Sequence, residues 1–115
     1  MSNQTEPLYS SCYGHVRACA HSGRFWLDFG EMQVWLCHER LRQLARKVNQ
    51  LVKVLEQPQR PVVVSRLLLC PPGSDGDVFA FSGDELLDLQ LLVNGSLVMA
   101  ELDGFLCDRQ FLLEN

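Results

Sequence analysis

Four side chains able to ligate a soft metal ion fall within ten residues of one another: Cys12, His15, Cys19 and His21, spaced C-x2-H-x3-C-x-H. A structural zinc ion takes four Cys or His ligands in tetrahedral geometry, and each thiol must give up its proton to bind. The residue types suit zinc, although structural sites usually set two close ligands against two more on a separate element. Cys19 and His21, two apart, would share a face of a strand, and Cys37-His38 forms a reserve pair further on. The competing expectation is that both histidines are surface residues and both cysteines pack as small side chains. The same set could serve a thiol- or metal-dependent enzyme, because a thiolate beside an imidazole is a nucleophile beside a base. No C-x-x-C pair, nucleophile elbow, P-loop or dinucleotide-binding glycine fingerprint accompanies it.

These residues sit on a meander. Tyr13 to Ala18, Arg24 to Phe29 and Met32 to Leu36 read as three short strands, broken at Ser22-Gly23 and Gly30-Glu31. From His38 to Gln57 the period lengthens. Leu41, Leu44, Val48, Leu51, Val52 and Leu55 fall on one helical face with Arg42, Arg46 and Lys53 opposite, and Pro58 ends the helix. Pro61 to Leu69 and Val78 to Phe81 read as a hairpin around a Pro-Pro-Gly turn. Ser82-Gly83-Asp84-Glu85 is a capping box that opens a second helix.

The second helix carries two apolar stripes. Leu86, Leu89, Val93, Leu97 and Ala100 form one, and Leu87, Leu91, Val98 and Leu102 form another on nearly the opposite face. One stripe can face the domain's own core, and the other calls for a second subunit. Asn94-Gly95 offers the competing reading of a hairpin turn between strands, which the lack of alternation over Ser96 to Leu102 disfavours. The expected fold is α+β: small antiparallel sheets with two helices, in the order β-β-β-α-β-β-α.

The stretch from Cys19 to Gly30, with its alternating Phe25-Trp26-Leu27-Asp28-Phe29 ahead of a short strand and an amphipathic helix, resembles a family of small uncharacterised bacterial proteins. That family is known as a domain of unknown function, with the pattern Cys-x-x-Cys-Gly, alternating apolar residues, then Phe-Gly. The resemblance covers roughly Cys12 to Gln57, and the second Cys of the pair falls on Ser22, leaving His15 or His21 to take its ligand position. It implies a cytosolic protein of similar size and brings no known activity.

Length and composition fit one folded unit. With 115 residues, 47% hydrophobic and 21% charged, residues 1–115 are expected to form a single domain, with 1–11 as a flexible lead-in. No basic and apolar leader is visible in that lead-in, and no apolar stretch reaches the length of a membrane span, so a cytoplasmic location without membrane contact is expected. Five cysteines do not make a disulfide framework, so reduced thiols are expected, with Cys37, Cys70 and Cys107 buried beside apolar segments. Residues 1–66 carry nine of the ten Lys and Arg against five acids, whereas residues 67–115 carry Arg109 alone against nine. This bipolar charge favours self-association or a charged protein partner. Nucleic acid on the basic helix face is a further alternative, disfavoured by a net charge of −4. Trp26 and Trp35 are expected as core or interface anchors. Together these observations point to a non-catalytic binding or regulatory module that self-associates, with an optional zinc.

Overall fold

Alternation of apolar and polar residues builds the first layer. The computed structural model describes residues 7–19, 22–56, 67–72 and 76–114, with side chains of the last helix described up to Leu102. Strands β1 (Tyr9–Ser10), β2 (Gly14–Ala18), β3 (Phe25–Phe29) and β4 (Met32–Leu36) form an antiparallel sheet in chain order. β1 takes Tyr9 and Ser10 from the expected flexible lead-in: Tyr9 pairs with Val16 and Ser10 with His15. Val16, Phe25, Leu27, Phe29, Met32 and Leu36 turn inward and are buried. The outer face carries two cross-strand rows in register, His15-Asp28-Gln33 and Arg17-Trp26-Trp35. Gly14 is required where β2 meets β3, because a Cβ there would overlap the Asp28 carbonyl oxygen and the Phe29 ring.

Helix α1 (His38–Glu56) and helix α2 (Gly83–Glu114) cover the inward face. α1 buries Leu41, Leu44, Ala45, Val48 and Val52 and leaves Arg42, Arg46 and Lys53 exposed, as its period requires. Its first helical bond runs from the Leu41 N–H to the Cys37 carbonyl at 2.9 Å. α2 begins with the capping box: the Glu85 N–H donates to the Ser82 hydroxyl at 3.2 Å, and the Ser82 N–H to Glu85 Oε1 at 2.8 Å. The two helices run antiparallel, with Arg42 beside Glu101 and Asn49 beside Gln90 and Asn94. A two-stranded sheet, β5 (Leu67–Leu69) with β6 (Phe79–Phe81), packs at one end, where Phe81 meets Phe29 edge-on at 5.5 Å. The described order is β-β-β-β-α-β-β-α, an α+β fold.

α2 passes through Asn94-Gly95 without a break. Asn94 hydrogen-bonds Asn49 across the helix pair instead of turning a hairpin, and the Tyr9 ring occupies the space where a Gly95 side chain would be. Two thiols depart from expectation. Cys37 and Cys70 are exposed, because Leu36 and Leu69 take the inward positions at the strand ends and the next residue points the other way. The side chain of Cys107 lies outside the described residues, as do Pro58 and the segment 61–66 of the expected hairpin.

Candidate functional site

Strand geometry strings the N-terminal ligand candidates apart. Cys12 sits in the β1–β2 turn, His15 on the outer face of β2, and Cys19 just past its end. At ~3.3 Å per residue, the extended stretch of β2 separates His15 from Cys19 by roughly 13 Å along the backbone. A shared zinc ion would need all its ligand atoms within about 2.3 Å of one point. The structure does not bring these three together, and His21 lies outside the described residues. Among the described residues no group of three or more His, Cys, Asp or Glu side chains is placed to hold a metal ion. In the reserve pair, Cys37 is exposed and its carbonyl receives the first bond of α1, while His38 leans on Phe25 and sets Nε2 3.8 Å from Glu101.

What converges on the turn holding Cys12 is a carboxylate from α2. Asp88 is only 8% exposed, and it accepts the Ser11 hydroxyl at 2.7 Å, the Cys12 N–H at 3.1 Å and the Tyr13 N–H at 3.0 Å. Tight hairpin turns between strands usually need positive φ, yet no described non-glycine residue adopts it. Asp88 supplies acceptors for amides that the turn itself leaves free. Burial pushes its pKa up, but the Ser11 hydroxyl and the Tyr13 and Cys12 amides outweigh burial and hold the carboxyl below its usual range. Sequence reading missed this clamp. Its signal is an acid on the buried side of a leucine-rich helix, where an unpaired charge would be prohibitive.

The largest exposed apolar feature of α2 is the second stripe. Leu87, Leu91, Val98 and Leu102 are 43%, 62%, 57% and 49% exposed, with Met99 beside them. At ~100° per residue the four fall within an arc of roughly 60°. Leu86, Leu89, Leu92, Val93 and Ser96 on the other side are fully buried. Two polar groups fix which stripe faces in. Asn49 Oδ1 accepts Gln90 Nε2 and Asn94 Nδ2, each at 3.0 Å, which locks the rotation of α2 against α1.

No family model, curated protein or solved structure matches the chain.

Further exposed surface among the described residues lies on the outer face of the sheet and the solvent side of α1. Trp26 and Trp35 lie against each other with ring centroids 5.0 Å apart on the outer face, Trp35 being 53% exposed, so neither is a core residue. On α1, Arg42 approaches Glu101 at 3.4 Å and Lys47 donates to the Cys70 carbonyl at 2.9 Å, which turns two of its cations toward the protein's own groups. No described helix is long and apolar enough to cross a membrane.

Proposed function

We propose that this chain is a non-catalytic binding module that pairs with a second copy of itself through the exposed stripe of α2. The observation that carries the reading is the row Leu87, Leu91, Val98 and Leu102, exposed on a helix whose opposite face is buried from Leu86 to Ser96. Scattered surface leucines need no explanation, but a row aligned on one helix face is the pattern of a helix-packing seam. Burying four half-exposed aliphatic side chains contributes about 4 kcal/mol per protomer, or roughly 8 kcal/mol for a symmetric pair. Before the cost of association that gain corresponds to micromolar strength, so micromolar is the tightest dimer these four side chains can support. α2 continues from Leu102 to Glu114, about 18 Å of further helix along which a partner can lie. Antiparallel pairing would set each helix N-terminus beside the partner's C-terminus, the favourable sense for two helix dipoles.

Light scattering across a concentration series is the test. The expected result is a dimer at high micromolar concentration, and a monomer for the double variant Leu91→Glu, Val98→Glu with unchanged thermal stability, since both side chains are solvent-facing. A wild-type chain that stays monomeric at high micromolar concentration overturns the reading.

A further inference from the structure

At the N-terminal end of α2, away from Leu91 and Val98, a cleft of about 390 Å³ opens between the β1–β2 turn, the β3–β4 turn and β6. Its floor is aromatic. Phe29 and Phe81 are nearly sealed, at 1% and 5% exposure, and Phe79 is half-buried beside them. Tyr13, 56% exposed, stands as one wall with its ring perpendicular to Phe29 at 6.3 Å, and Val78 contributes to the other. Two carboxylates, Glu31 and Glu85, complete the lining, and among the described residues no Lys, Arg or His lines it.

We infer that this cleft binds an organic cation, a guanidinium or ammonium group on an apolar stem. The exposed ring of Tyr13 can attract a cation through its quadrupole while the apolar floor accepts an alkyl stem by contact, and the two carboxylates give the charged end its partners. The positive end of the α2 dipole lies nearby, but Asp84 and Glu85 in the first turn offset it. Glu85 Oε1 already accepts the Ser82 N–H, so Glu85 is held in place by the capping box. Asp88 anchors the Tyr13 backbone N–H at 3.0 Å. Fixing the Glu85 carboxylate and the Tyr13 backbone before the ligand arrives reduces the entropy lost on binding. The volume lies within the usual range for small-ligand sites and exceeds what one side chain fills.

The experiment is an amide chemical-shift titration at low ionic strength with three probes: acetyl-arginine amide, agmatine, and acetyl-citrulline amide as the uncharged isostere. Both cations are expected to shift the Tyr13, Glu31 and Val78 amides and to bind about tenfold more tightly than the citrulline probe. Agmatine carries a second positive charge, so tighter binding of the arginine amide assigns the cation to a peptide, whereas tighter binding of agmatine assigns it to a dication that engages both carboxylates. Either outcome supports the site. Tyr13→Ala, Glu31→Gln and Glu85→Gln are each expected to weaken binding about threefold, and glutamine at position 85 can keep the cap. Equal affinity for the citrulline probe, shifts elsewhere on the protein, or unchanged affinity in all three folded variants overturns the inference.

Discussion

Replacing Asp88 by Asn tests whether one long-range carboxylate holds the N-terminal hairpin to the helix layer. The substitution keeps size and one acceptor oxygen but removes the charge and turns an NH2 group toward a set of donors. In the folded chain the carboxylate receives three hydrogen bonds of 2.7 to 3.1 Å in a nearly buried setting. Hydrogen bonds to charged groups contribute about 1.5–3 kcal/mol each, and their deletions are not additive. Retaining part of the acceptor set, Asp88→Asn should cost about 2–3 kcal/mol, a large fraction of the 5–15 kcal/mol typical of a domain.

At roughly 4 °C per kcal/mol, Tm should fall by about 10 °C. The pH dependence follows from the direction of the pKa shift. The folded-state value is depressed, so the unfolded chain binds the proton more readily, and stability rises with pH through the interval between the two values. The carboxylate's contribution is fully present above about pH 4 and is lost as pH falls through the depressed folded value. Urea unfolding of both proteins from pH 7 to about pH 2 should therefore show the gap between them constant above pH 4 and narrowing below it. Hydrogen exchange supplies a local readout, because the Cys12 and Tyr13 amides should lose protection in the variant. A difference under about 0.5 kcal/mol at neutral pH, or a gap that ignores acidification, refutes the clamp.

Two further substitutions probe how α2 is seated. Gly95→Ala puts a methyl group about 2.5 Å from Tyr9 ring atoms, so the exposed Tyr9 ring must swing out of its notch, and the lost contact should outweigh alanine's better helix propensity by about 1 kcal/mol. A double-mutant cycle with Tyr9→Ala should recover most of that loss, and no recovery would mean that the ring is not the obstacle. The Ser96 hydroxyl is buried without a hydrogen-bond partner among the described residues, so Ser96→Ala should stabilise by about 1 kcal/mol in urea unfolding, and a loss of stability would reveal a partner for it.

Much of the local architecture can be read from residues within four positions of each other. Ser82 and Glu85 make their reciprocal cap as the S-x-x-E spacing implies, and Gly23 and Gly30 take positive φ at the breaks in the meander. The 3.6-residue period of α1 names its buried face, and the two stripes of α2 divide into one buried and one bare. Such features are legible because their energetics are settled inside one turn or one strand. The ligand candidates illustrate the limit. Cys12, His15 and Cys19 are neighbours in the chain, but the described residues form no three-ligand group, and the extended β2 separates His15 from Cys19.

Contacts across the fold were settled only in three dimensions. Asp88 meets Ser11 and Tyr13 over separations of 77 and 75 residues, Asn49 selects the rotation of α2 over 41 and 45, and Tyr9 finds its notch at Gly95. No short-range pattern encodes such pairings, because each depends on which face of one element meets which face of another. The sequence by itself determined the described elements other than β1, and that α2 has two apolar faces. Tertiary packing decided which face was covered, because only one could be reached by both α1 and the sheet, and so left the other as the surface on which function is proposed.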